Sequence, residues 1–304
     1  MSSSANSRLE AALLASMPVL FVALWSTGFI GAKFGLPHAE PFTFLFIRFV
    51  LTLALLIPLV MLMGTTWPQG WRLRGHIAVS GLLVHAAYLG GVFYGIYLGM
   101  PAGLTALLVG LQPLLTATLA GPLLGERITA IQWLGLVLGL VGIAMVLGSK
   151  LDPGTASFQG FGLGALACVL VALAGITLGT LYQKRFCTGM PLLSGTVVQY
   201  LSAGVLLGLG ALWLEERHVE WTPTFVLTLG WLVLVLSIAA ILLLMALIRR
   251  GEASRVASLF YLVPPVTALQ AWWLFDERLP LAALVGMAIT IVGVVLAARG
   301  QARR

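Results

Sequence analysis

The sequence predicts an all-α integral membrane protein of ten transmembrane helices, arranged as two inverted five-helix repeats. Three observations carry that expectation. Hydrophobic residues make up 60% of the 304-residue chain and charged residues 9%, with a mean hydropathy of +1.04. A soluble domain carries about 25% charge, so a water-facing surface cannot be made from this composition. Apolar stretches of about 20 residues, long enough to cross a bilayer as helix, recur along the chain. Finally, residues 102–148 reappear 151 positions later without a gap, with 14 of 47 positions identical. Roughly one in ten would coincide by chance in so Leu-, Ala- and Gly-rich a composition.

The repeat pairs Leu111 with Leu262, Pro113 with Pro264, Thr116 with Thr267, Glu126-Arg127 with Glu277-Arg278, Gly135 with Gly286 and Gly142 with Gly293. The same offset relates Ala23 to Ala174 and Lys33 to Lys184 in the first helix of each half. The halves are expected at 1–150 and 151–304, together forming one transport unit.

In chain order the spans are expected at Leu14–Gly35, Pro41–Met63, Gly75–Leu98, Ala102–Leu124, Thr129–Leu147, Gly160–Gln183, Pro191–Leu214, Thr224–Ile248, Ala253–Phe275 and Pro280–Ala298. Short links rich in Gly, Pro or charge separate most of them, such as Pro37-His38-Ala39-Glu40, Gly99-Met100-Pro101 and Trp221-Thr222-Pro223. A β-barrel is excluded because the blocks are too long and show no alternation of period two. With the N-terminus inside, twelve Lys and Arg fall at inner ends and four at outer ends. That bias places both termini in the cytoplasm. Five spans per half is an odd number, so the second half must be inverted, the plan of alternating-access carriers with a ligand site at the midplane.

The net charge of +7 therefore reflects membrane orientation, and no basic run suggests a nucleic-acid partner. Cys168 and Cys187 lie on one expected helix, separated by about 28 Å of rise, so they are not expected to bond. A cleavable signal peptide is not expected, because the first apolar run continues to Lys33 without a small-residue cleavage site. Nucleotide-binding motifs, metal-ligand clusters and Ser/His/Asp sets are lacking, which argues against an enzyme, a metal or another cofactor.

Several motifs together resemble a known family. They are Leu111-Gln112-Pro113-Leu114 with Gly125-Glu126-Arg127, Leu262-Val263-Pro264-Pro265 with Asp276-Glu277-Arg278, Trp25-Ser26-Thr27-Gly28-Phe29 and Arg48-Phe49. The chain resembles the drug/metabolite transporter superfamily over nearly its whole length. Within it, the chain is most similar to EamA-type exporters, including bacterial aromatic amino acid exporters. The resemblance implies export of amino acids or related metabolites across the inner membrane, with the fifth and tenth helices outside the transport core. Other metabolites or drugs, or a passive channel, are the alternatives. Substrate and lipid are the expected partners, and a monomer suffices as the transport unit.

Candidate site residues follow from depth and chemistry. A proline inside a helix removes one donor and clashes with the carbonyl four residues back. Pro113, Pro264 and Pro265 are thus expected hinges that free backbone carbonyls for ligand or water. His85 is an ionisable group near the middle of the third span. Trp25, Tyr88, Gln112, Gln199 and Tyr261 are polar-tipped or aromatic groups at matching depth, able to wall a substrate cavity. Arg48 lies about two turns into the second span, where snorkelling to the outer interface is the simplest expectation. No Asp or Glu occurs at mid-depth, which argues against a carboxylate-based proton or sodium site. The two Glu-Arg pairs are expected to tie turns at helix ends.

Overall fold

The computed structural model describes residues 2–124, 129–149, 160–240, 242–243, 260–277 and 280–302, without the side chains of 2–15, 120–124, 261 and 297–302. The helices are α1 Ser2–Gly35, α2 Pro41–Leu62, α3 Trp71–Tyr97, α4 Ala102–Val109, α5 Gln112–Leu124 and α6 Ala130–Gly148. They continue with α7 Leu163–Phe186, α8 Leu192–Leu214, α9 Pro223–Ala239, α10 Val263–Phe275 and α11 Leu281–Ala302. Among the described residues, seven segments are long and apolar enough to cross a membrane, α4 and α5 counting as one, while Pro223–Ala239 and Leu281–Leu296 are shorter apolar helices. The expected span Ala253–Phe275 begins outside the described residues, as does the Gly125-Glu126-Arg127 turn.

The outward faces are apolar: Leu62, Trp213, Trp273 and Leu281 are each more than 75% exposed. Such a surface is stable only against lipid. Inside, Phe21, Phe44, Phe49, Phe93 and Phe225 are fully buried. Helix starts carry ordinary signals. Pro41 and Pro223 occupy first-turn positions, and Thr129 and Gln132 form a reciprocal capping box.

Three features depart from the sequence expectation. The fourth span is two helices, interrupted at Gly110-Leu111. Pro113 is the second residue of α5, and Pro264 and Pro265 open α10 behind a 3-10 turn, Phe260–Leu262. The prolines therefore start new helices instead of kinking continuous ones. At these positions the missing N–H is an orphan in any case, so the chain restarts where proline costs least. Second, α3 and α9 widen into π-helix at Leu82–Ala87 and Leu232–Ala239. Third, α3 begins at Trp71, four residues before the expected start.

Close backbone approach fixes the pairing of helices. A Cβ on Gly142 would lie 2.4 Å from the Gly286 carbonyl oxygen, and one on Gly293 would lie 2.6 Å from that of Gly135. Only glycine permits α6 and α11 to meet this closely. Similarly, Gly91 and Gly175 of α3 and α7 face Cys168 O at 2.4 Å and Leu83 O at 2.9 Å. Cys168 and Cys187 are both free thiols.

Candidate functional site

Between α1, α3, α4, α5, α7 and the start of α10 lies a cavity of about 790 Å³. A second space of about 250 Å³ adjoins it toward α2 and α8, sharing Trp25, Phe29, Val84, Tyr88, Ile176, Gln183, Met190 and Leu192 as a common wall. Neither has a wall from α6 or α11.

Five expected site residues converge here. Trp25 and Tyr88 line both spaces, Gln112 the larger, His85 and Gln199 the smaller. The Tyr261 side chain lies outside the described residues. Pro113 and Pro264 line the larger space, whereas Pro265 does not. The two helix breaks touch, since a Cβ on Gly110 would lie 2.6 Å from Cγ of Pro264. Interrupted helices that meet at a cavity are tolerated in a membrane because protein or water satisfies the freed backbone groups.

The walls combine aromatic faces with amide and hydroxyl tips. Trp25 packs against Phe21 and Phe260, ring centroids 5.3 and 5.2 Å away. Gln112 Nε2 donates to Thr116 Oγ1 and Thr180 Oγ1 at 3.1 and 3.3 Å. Gln199 Nε2 donates to Ser80 Oγ at 2.7 Å and to Gln183 Oε1 at 2.9 Å. His85 sits beside Tyr200 at 4.6 Å between ring centroids, and Tyr200 in turn packs on Phe49 at 4.8 Å.

Arg48 does not snorkel. It is 3% exposed and lines the smaller space, where Nε and Nη2 donate to Ser237 Oγ at 3.3 and 3.1 Å. Ser237 belongs to the π turn of α9 and itself donates to Leu232 O at 3.0 Å. Linear depth placed Arg48 near an end of its helix. The side chain instead turns inward, because a hydroxyl on α9 receives it beside the smaller space. Phe29, Gln183, Lys184, Phe260 and Leu236 also line the two spaces and were not singled out from sequence. The repeat offset was a usable signal for one of them, since Lys184 corresponds to Lys33; the same offset relates Arg48 to the expected Gln199.

The spaces extend toward the link between α7 and α8, since Lys184 and Cys187 to Met190 form part of the wall. The opposite end is tied shut. Glu215 accepts the N–H groups of Phe42 and Thr43 at 2.7 Å each and the Thr43 hydroxyl at 2.8 Å. Lys33 pairs with Glu277, and Glu277 also accepts from the Ala102 and Gly103 N–H groups at 3.3 and 3.5 Å. The turn-tying role expected for Glu277 is thus a tie between separate helices. Ala39 and Val219 form a β-bridge beside the Glu220 N–H to His38 O bond of 2.8 Å.

A helical bundle with a lipid-facing surface and a central aromatic cavity sealed at one end is the architecture of a multi-pass membrane transporter, which moves a small molecule and performs no catalysis. The chain belongs to the EamA-like transporter family, whose model matches residues 11–148 and again 161–299. A Bacillus subtilis protein named "Uncharacterized transporter YvbV" is 27% identical over 285 residues, covering 90% of this chain and 88% of its own. The Escherichia coli "Uncharacterized inner membrane transporter YedA" is 27% identical over 280 residues, covering 91% and 88%. A Salmonella typhimurium protein named "Probable amino-acid metabolite efflux pump" is 26% identical over 290 residues, covering 92% and 93%. Among solved structures, one crystal structure superposes with a TM-score of 0.64 at 20% identity, covering 92% of this chain and 94% of that one.

Proposed function

We propose that the protein exports amino acids or related small metabolites across the inner membrane by alternating access, through the cavity between two inverted five-helix halves. The observation that carries this reading is the cavity itself: one end tied by Glu215 and Glu277, the other walled by the α7–α8 link. Reciprocal contacts at the 151-residue offset support the halves, 1–150 and 151–304. Gly142 meets Gly286 while Gly135 meets Gly293, and Phe49 meets its own counterpart, Tyr200. The charge bias supports cytoplasmic termini, which makes the described state open to the cytoplasm. The Salmonella relative's name supports the substrate class. Trp25, His85, Tyr88, Gln112, Gln199 and Tyr261 are the proposed substrate contacts, and Pro113, Pro264 and Pro265 the hinges.

Counterflow of labelled amino acids into liposomes holding the purified protein tests the reading. A carrier accelerates uptake when unlabelled substrate is trapped inside; equal rates with and without it indicate a channel. Orientation is checked with single cysteines. Those at Ser3 and Gln301 react with an impermeant maleimide only from the cytoplasmic side, and one at Glu216 only from outside.

A further inference from the structure

The wall chemistry narrows the substrate class, an inference that rests on the transport reading above. Among the described residues, the ionisable side chains lining the two spaces are Arg48, His85, Tyr88, Lys184, Cys187 and Tyr200, with no Asp or Glu. Arg48 is the permanent charge at the deep end. Its five N–H donors form a planar fork suited to a carboxylate. Two of its nitrogens share one acceptor, Ser237 Oγ. No carboxylate pairs with it among the described residues. A buried guanidinium served by one hydroxyl is costly unless something else completes its shell.

We infer that the transported molecule is an organic monoanion whose carboxylate seats on Arg48 while its apolar body lies along Trp25, Phe29 and Phe260. At the deep end one guanidinium, with Lys184 away at the α7–α8 end of the wall, matches one negative charge, which favours a carboxylate there over a dianionic phosphate. A free ammonium would find no carboxylate among the described wall residues, so amino-acid derivatives that lack it fit better than their parent zwitterions: 2-oxo acids and N-acyl amino acids. Amines and amides fit worst. The inference also supplies a driving force. An inside-negative potential expels an anion, worth about tenfold in concentration ratio per ~60 mV for one charge. Export then needs no proton or sodium site.

The experiment compares two series in proteoliposomes by exchange: phenylpyruvate, N-acetylphenylalanine, phenylalanine and phenethylamine, and 4-methyl-2-oxopentanoate, leucine and isoamylamine. Melting of the detergent-solubilised protein with each compound gives an independent reading of binding. The expected result is acid exchange at least about tenfold faster than that of the matching amine, one lost pairing with the guanidinium. Arg48→Gln should abolish the preference, and Arg48→Lys should keep part of it. Because Ser237 retains its bond to Leu232 O, both variants are expected to fold, which their melting reports. Equal exchange of acids and amines, or an acid preference unchanged in Arg48→Gln, overturns the inference. If nothing exchanges, the transport reading fails. Stabilisation by the acids that disappears in Arg48→Gln would then still support the anion seat, and no stabilisation by the acids would overturn it.

Discussion

The two ends of the bundle are built by different chemistry, one tied shut and the other only walled. At the Lys33 end, carboxylates from one part of the chain cap helices from another: Glu215 meets the start of α2, and Glu277 meets the start of α4 together with Lys33. Each tie satisfies orphan N–H groups that a helix start leaves exposed. At the Lys184 end the cavity wall is a link, Cys187 to Met190, beside a His76–Tyr182 bond of 2.8 Å and a His76–Phe186 stack at 5.0 Å. The lesson is that, among the described residues, the closed end is held by helix caps. Helix starts carry their own locks, and opening such an end requires several charged hydrogen bonds to break together.

Substitutions test this contrast. The largest effect is expected from Glu215→Ala. It removes a carboxylate that is 8% exposed and accepts three hydrogen bonds, at a cost of about 2–4 kcal/mol. Melting in detergent should fall by about 5–10 °C. A shift of less than a degree would mean the sealed end does not depend on this cap.

Next comes the pivot between the ends. Gly110→Ala drives a methyl group to 2.6 Å from the Pro264 ring, an overpacking of about 1–3 kcal/mol. Exchange rate should drop more than melting temperature does if the proposed alternating access moves the two helix breaks against each other at this contact. Equal losses in both measurements would reduce the contact to ordinary packing.

Glu277→Gln keeps an acceptor for the α4 N–H groups but removes the ion pair with Lys33. With Glu277 13% exposed and Lys33 31%, the loss should be about 1 kcal/mol or less. A cysteine at Met100, which is 1% exposed, should then label faster by up to about fivefold from the Lys33 side. Unchanged labelling would show that Glu215 holds this end alone.

The smallest effect is expected from Pro113→Ala. As the second residue of α5, position 113 has an orphan N–H whichever residue occupies it. Stability should change by less than about 1 kcal/mol, and turnover by less than about threefold. A large loss of turnover with normal melting would place the hinge in the proline ring itself instead of in the Gly110-Leu111 break beside it.

The all-helical membrane fold was legible because membrane spans announce themselves by length. That Trp25, Tyr88, Gln112 and Gln199 line the two spaces was legible because depth along a helix is readable from its ends. What one dimension cannot supply is the direction a side chain takes. Arg48 has a lipid-facing route and an inward one of similar length, and only Ser237 on α9 decides between them. The helix break was also misplaced. Pro113 marks the neighbourhood, but Gly110-Leu111 is where the ladder stops, since a proline is cheaper just after a start than just before a stop. The π turns left no trace at all. Over six or eight mostly apolar residues, hydrophobicity cannot distinguish a wide turn from an ordinary one.

Those wide turns have a consequence for how the chain can change. A π turn is an α-helix holding one residue more than it needs. Leu82–Ala87 and Leu232–Ala239 therefore each carry a spare residue inside the bilayer, and at the repeat offset the first falls within the second. Deleting one residue there lets the wide turn relax to α while the helix on either side keeps its phase. The same deletion in the middle of α2 or α7 rotates every later side chain by about 100°. The molecule thus has two places in mid-membrane where its length is adjustable, and both adjoin the cavity through His85 and Leu236.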